Sequence, residues 1–145
     1  MNFLCQIYLN FINCIFYMII IILAILGLIL SIYILQVELN LKKNKKYKSI
    51  CDINKRISCS KVVLSKYNDI FFGIPNSTMG LFYYISILIS YVFFSNYLFY
   101  LNLAGFLASL PLAYFSIIKL RDLCLVCISI YIVNILLLLF SYLKI

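Results

Sequence analysis

Residues 123–143 read LCLVCISIYIVNILLLLFSYL, with no charged residue. A segment of that length and polarity spans a membrane, because about 30 Å of hydrocarbon takes about 20 helical residues at about 1.5 Å each. Two cysteines open it, Cys124 and Cys127, and their C-x-x-C spacing makes them a candidate redox dithiol. On a helix, positions i, i+3 and i+7 share a face, so Cys124, Cys127, Tyr131 and Asn134 form one stripe running inward from the membrane surface. Tyr131 falls about 6 Å deeper than Cys127. That depth suits a phenol pointing at a carbonyl of a flat apolar molecule held within a helical bundle. Asn134 lies deeper still, where a polar group is expensive unless partnered. An interhelical hydrogen bond accounts for it as well as a ligand does, so Asn134 is assigned no part in the site.

The rest of the chain has the same preference for lipid. Of 145 residues, 66% are hydrophobic and 11% charged, against about 25% charged in soluble domains, and the mean hydropathy is +1.12. The length fits one domain. No charge occurs from Met1 to Val37, and residues 12–35 form a first span. They do not read as a cleaved signal peptide: no basic segment precedes them, the apolar run is too long, and no small-residue cleavage site follows. Ile70 to Ile118 is also free of charge, too long for one helix but right for two, at about 78–94 and 97–118, joined at the polar break Ser95-Asn96. Pro111 sits within the third span as a packing kink that neighbouring helices accommodate. Lys119, Arg121 and Asp122 make a charged hinge before the fourth span, 123–143. The expected fold is an all-α membrane protein, a four-transmembrane-helix bundle with one extramembrane loop, 38–77, between helices 1 and 2.

That loop carries most of the charge. Nine of the twelve Lys and Arg residues fall between Lys42 and Lys66, a cluster suited to a solvated face or to anionic lipid headgroups. No nucleic-acid-binding motif accompanies it, so nucleic acid is not an expected partner. The loop also holds Cys51 and Cys59, with turn-forming Asn68-Asp69 and Gly73-Ile74-Pro75-Asn76 further on. Two spans separate it from the hinge before Cys124, and an even number of crossings returns the chain to the same face. Both cysteine pairs therefore meet on one side. Four thiolates can hold zinc, but zinc favours two short-spaced pairs in a water-accessible knuckle, whereas Cys51 and Cys59 are widely spaced and Cys124 opens a span. No metal is assigned. Structural disulfides stay open as a reading, although a C-x-x-C closes too small a loop to stabilise much by chain entropy. Cys5 and Cys14 read as apolar thiols, Cys14 as a packing residue of span one.

Several blocks carry a resemblance. Cys51-Asp52-Ile53 through Ile57-Ser58-Cys59-Ser60-Lys61-Val62, with Ser65 after it, closely resembles the loop of the vitamin K epoxide reductase family. Leu26-Gly27-Leu28, Leu30-Ser31-Ile32-Tyr33 and Val37-Glu38 are similar to that family's first helix exit. Pro75-Asn76-Ser77 with Gly80 resembles the start of its second helix, and Asp122 through Cys127 to Tyr131 and Asn134 its fourth. The match runs in order from about Leu26 to Leu143. It implies Cys124 and Cys127 as the redox centre, Cys51 and Cys59 as the shuttle pair with Cys59 attacking Cys124, and Asn76 and Tyr131 as hydrogen-bond donors to quinone or epoxide oxygens. Ser65 matches a loop serine that the family also uses. By its residues alone Asn76 reads as a turn or helix N-cap; the resemblance favours a substrate contact instead. The stretch Cys59–Asn76 is shorter than in vertebrate members, which implies a smaller lid over the substrate.

The implied activity is reduction of vitamin K epoxide or quinone, with the quinone as substrate and no tightly bound cofactor. No thioredoxin-like domain follows span four, which makes a separate luminal thioredoxin-like protein the expected redox partner. Eleven Lys and Arg lie on the cysteine side against Lys144 on the other, so the positive-inside rule alone puts the thiols in the cytosol. Disulfide exchange belongs to oxidising compartments, and the resemblance places the loop in the lumen. The expected location is the endoplasmic reticulum membrane, a bacterial inner membrane with a periplasmic loop being the alternative. Two other readings of function are a quinone-linked enzyme that forms disulfides in its partner, and a stapled or metal-binding membrane protein without enzymatic activity.

Overall fold

The structure is a computed structural model that describes residues 2–65, 68, 73–93 and 97–143. Five α-helices follow one another: α1 (Asn2–Lys43), a short α2 (Cys59–Leu64), α3 (Asn76–Phe93), α4 (Leu98–Tyr114) and α5 (Leu125–Leu143). Among them, four stretches are long and apolar enough to cross a membrane: Asn13–Lys43, Asn76–Phe93, Leu98–Lys119 and Leu125–Leu143. The protein is an all-α membrane protein with a four-span bundle, and the described residues contain no strand. The break at Ser95-Asn96, Asp69 of the expected turn, and Lys144 lie outside the described residues.

Three boundaries differ from the sequence reading. α1 runs on to Lys43, so the first six residues assigned to the loop, Glu38 to Lys43, are helical. They include Glu38 and Lys42, an i,i+4 pair 2.7 Å apart, which supports an extra helical turn beyond the apolar run. The third span ends in a π-helical turn, Phe115–Leu120, one turn beyond Pro111, whose ring removes a helical N–H. Arg121 closes that turn at φ 53, the left-handed conformation that stops a helix. Finally, α5 starts at Leu125, which leaves Cys124 just outside the helix: its carbonyl accepts from Ile128 N–H at 3.0 Å, and its Sγ from Cys127 N–H at 3.2 Å. Cys124 caps the helix that Cys127 belongs to.

α1 packs against α3 and α5, α4 against α5, and α2 lies on the loop end of α1. Two clusters form the interior. The mid-bundle cluster joins Ile20 and Ala24 of α1 to Tyr84 and Ile87 of α3, Leu98 of α4, and Val133 and Leu137 of α5. Lipid gives helices no hydrophobic reason to associate, so close packing and interhelical hydrogen bonds hold such a bundle. Both are present. Gly27 lets the fully buried Tyr84 ring lie directly on α1, since a Cβ there would overlap the ring. The Tyr84 hydroxyl donates to Asn134 Oδ1 at 2.8 Å, and Asn102 Nδ2 donates to the Leu137 carbonyl at 3.3 Å. Asn134 thus makes the interhelical bond that its depth requires. The second cluster, at the loop end, gathers Ile34, Val37, Leu41, Val63, Cys51, Cys59 and Cys124. Cys14 is a free thiol exposed on the outside of the bundle, not a packing residue; the side chain of Cys5 lies outside the described part.

Candidate active site

The loop folds around one carboxylate. Asp52 accepts from Ser49 N–H (2.9 Å), Ser58 O–H (2.8 Å), Ser60 N–H (3.1 Å) and Ser60 O–H (2.5 Å). Burial pushes the Asp52 carboxyl up, but the hydrogen bonds, led by those from Ser60, outweigh it and hold the group well below the usual carboxylate range. These bonds fix Cys51 on one side of Asp52 and the start of α2 on the other. Ser58 also caps α2, its Oγ accepting from Lys61 N–H at 3.3 Å. Cys51 and Cys59 are brought into a disulfide, with Cα atoms 5.8 Å apart.

The loop is then docked on the hinge before α5. Leu123 N–H donates to the Arg56 carbonyl at 2.7 Å, and Ser58 N–H donates to the Leu123 carbonyl at 3.0 Å. The Lys61 ammonium sits 3.4 Å from Asp122 Oδ1. This clasp carries Cys59 to the second disulfide, Cys124–Cys127, whose Cα atoms are 5.1 Å apart. Cys59 Sγ and Cys124 Sγ lie 3.5 Å from one another. Both cysteines are completely buried, and Cys51 is buried but for 8% of its surface. The four sulfurs therefore form one continuous chain, from Cys51 through Cys59 and Cys124 to Cys127.

Behind the line opens a cavity of about 340 Å³, within the range of roughly 300–1,000 Å³ typical of ligand sites. Of the four paired cysteines, Cys127 alone lines it. Its walls are otherwise mostly apolar, with Asn76, Tyr131 and Ser65 at its surface. Asn76 lies in the first turn of α3, where the Pro75 carbonyl accepts from Met79 N–H at 3.1 Å and the Asn76 N–H donates to the Asn68 carbonyl at 3.0 Å. Ser65 ends α2, its hydroxyl donating to the Val62 carbonyl at 2.7 Å. All seven residues singled out in the sequence thus converge on one region: Cys51, Cys59 and Cys124 along the sulfur line, Cys127 where line and cavity meet, and Asn76, Tyr131 and Ser65 around the cavity.

A family model described as the Vitamin K epoxide reductase family matches residues 18–142. The chain belongs to this family. It is 32% identical over 139 residues to the Vitamin K epoxide reductase complex subunit 1 of Rattus norvegicus, covering 85% of this chain and 86% of the relative. The Mus musculus protein of the same name is 31% identical over the same share of each chain. Membership of the vitamin K epoxide reductase family makes the chain a membrane oxidoreductase.

Three features of this family member escape a reading of motifs. Asp52 was visible only as a neighbour of Cys51, although serines at 58 and 60 signal a carboxylate with hydroxyl donors around it. Glu38, 3% exposed, accepts from Ser77 O–H at 2.7 Å and pairs with Lys42. It ties the end of α1 to the first turn of α3 beside Asn76, and its signal was a lone acid closing an uncharged run. Tyr83 and Tyr84 also line the cavity; nothing in their spacing separates them from the chain's other tyrosines.

Proposed function

We propose that this membrane oxidoreductase reduces vitamin K epoxide or a vitamin K-type quinone with electrons relayed through two cysteine pairs. Electrons from a thioredoxin-like protein enter at Cys51, pass to Cys59, cross to Cys124 and leave from Cys127. The observation that carries the reading is the 3.5 Å approach of Cys59 Sγ to Cys124 Sγ, together with Cys127 lining the cavity. In the reduced loop pair, Cys59 thiolate attacks Cys124, breaking the Cys124–Cys127 bond and releasing Cys127. Cys51 thiolate then attacks Cys59, which re-forms the loop disulfide and frees Cys124. The Cys124–Cys127 dithiol now holds two electrons and two protons. Passing them to a quinone gives hydroquinone and regenerates the disulfide; passing them to the epoxide gives quinone and water.

Individual residues take distinct parts. The Cys127 N–H that meets Cys124 Sγ at 3.2 Å stabilises a thiolate at the start of α5 when the bond opens. Tyr131 and Asn76 donate to the substrate oxygens, and Ser65 closes the loop side of the cavity. The mammalian relatives support the endoplasmic reticulum membrane, and the cysteine loop belongs in its lumen because disulfide exchange belongs to oxidising compartments. Purified protein in detergent, given dithiothreitol, is expected to turn over vitamin K epoxide, phylloquinone or ubiquinone, and to lose turnover in Cys127→Ser. No turnover of any of the three would refute the reading.

A further inference from the structure

The turn that carries Cys51 is built from residues ill suited to a turn in water. Asp52 N–H donates to the Ser49 carbonyl at 3.1 Å, which leaves Ile50 and Cys51 as the central pair. Such positions favour Pro, Asn, Asp, Ser or Gly. Ile50 instead occupies one of them at 89% exposure, the highest of the large apolar side chains among the described residues. Two residues beyond Cys51, Ile53 is 61% exposed, with its N–H bonded to the Ile57 carbonyl at 3.1 Å. Most other exposed apolar side chains lie on the spanning helices, where lipid covers them. Ile50 and Ile53 lie in the loop, flanking in sequence Cys51, the loop-pair cysteine that keeps some exposure (8%) where Cys59 has none.

The same segment is cationic. Lys45, Lys46, Lys48, Lys55 and Arg56 are exposed and enter no ion pair among the described residues. The described acids at this end are committed elsewhere: Glu38 to Ser77 and Lys42, Asp52 to the loop serines, and Asp122 to Lys61. The surface around the isoleucines is left positive.

We propose that Ile50 and Ile53, ringed by these cations, form the docking surface for the reducing protein, a thioredoxin-fold dithiol carrier with an apolar collar and an acidic rim around its C-x-x-C. The inference rests on the reading of Cys51–Cys59 as the pair where electrons enter. The chemistry favours a protein over a lipid headgroup layer here, because a thiolate must reach Cys51, which the two isoleucines flank in sequence, and a lipid cover would shield it. Opposite charge steers the encounter, and the apolar pair orients the attacking sulfur. The partner's thiolate attacks Cys51 Sγ and the Cys51–Cys59 bond breaks, with Cys59 leaving as thiolate. The partner's second thiolate then attacks its own bridged sulfur and releases Cys51. The partner ends as a disulfide, and its two electrons and two protons reside on Cys51 and Cys59.

The test uses the full chain in nanodiscs of neutral or partly anionic lipid, with quinone reduction driven by dithiothreitol or by a reduced thioredoxin-fold domain. One version of the domain carries glutamates around its dithiol, the other lysines at the same positions. The acidic version is expected to run about tenfold faster at low salt, an advantage that shrinks as salt rises. Ile50→Ser with Ile53→Ser should slow the acidic domain about fivefold to thirtyfold and leave the dithiothreitol rate unchanged. Lys45→Glu, Lys46→Glu and Lys48→Glu together should reverse the preference between domains, which keeps the inference testable should the isoleucine variant fail to fold. Equal rates with both domains in every variant would overturn it. So would rates that follow the anionic lipid and ignore domain charge, since the surface would then face lipid. Absence of dithiothreitol-driven turnover in the unmodified chain would instead refute the oxidoreductase reading beneath it.

Discussion

Asp52→Asn tests whether one carboxylate holds the cysteine loop in its docked position. The carboxylate accepts four hydrogen bonds, two at each oxygen. An asparagine oxygen at the Oδ1 position keeps the bonds from Ser58 O–H and Ser60 N–H. Its amide group then meets Ser49 N–H as donor against donor, and the Ser60 hydroxyl must turn to accept from it, so both charge-assisted bonds at that position are lost. Hydrogen bonds to charged groups contribute about 1.5–3 kcal/mol each when buried. Asp52 is only partly buried, so solvent reduces this to about 1 kcal/mol each, or about 2 kcal/mol in all. At about 1.4 kcal/mol per factor of ten, the undocked fraction of the loop should rise about thirtyfold. Cys59 is completely buried, so its thiol is alkylated only from the undocked loop. The assay is the alkylation rate of Cys59 in the reduced protein, located by peptide mass mapping. An increase of about thirtyfold is expected in Asp52→Asn, and an unchanged rate would refute the argument. The pH dependence follows from the sign of the shift: a carboxyl held low in the folded state contributes stability that is fully present above its unfolded value of about 3.9 and is lost as pH falls through the folded value. Protection of Cys59, corrected for thiolate fraction, should therefore be flat between about pH 5 and pH 8.

Two further predictions concern the cavity and the bundle. Tyr131→Phe and Asn76→Ala each remove one donor from the cavity wall, worth about 0.5–1.5 kcal/mol or more if a buried partner is orphaned; dithiothreitol-driven turnover should fall about threefold to a hundredfold with thermal stability unchanged. Gly27→Ala places a methyl group inside the Tyr84 ring. It should cost about 1–3 kcal/mol through overpacking, seen as a lower unfolding midpoint in detergent, with Tyr84 displaced from Asn134.

The four spans were legible because lipid imposes a length and a polarity on each, and Ile70 to Ile118 can satisfy both only as two helices. The meeting of Cys51 and Cys59 with Cys124 and Cys127 was legible for a topological reason, since two crossings bring the chain back to one face. What the pattern does not contain is where each helix ends. Glu38 to Lys43 looks like loop by charge, yet an i,i+4 pair and a bond to Ser77 make it helix. Cys124 fits the stripe of Cys127 and Tyr131 by spacing, yet it precedes the helix and caps it, a distinction of one residue that apolar periodicity cannot resolve. The Asp52 cradle and the Lys61–Asp122 contact were illegible for a different reason. Their partners are chosen by the tertiary path of the loop, and sequence distance carries no trace of a contact 61 residues apart. Asn134 was legible as a polar group needing a partner, but not as the partner of Tyr84.

The relay itself is tested most directly by trapping its middle step. Cys51→Ser removes the thiol that would resolve a bridge between Cys59 and Cys124, and Cys127→Ser leaves Cys124 with Cys59 as its nearest sulfur, 3.5 Å away. Either variant, isolated with thiols blocked and mapped by peptide mass spectrometry, is expected to accumulate a Cys59–Cys124 disulfide. A bridge from Cys51 to Cys127, or no bridge between loop and hinge in either variant, would contradict the relay.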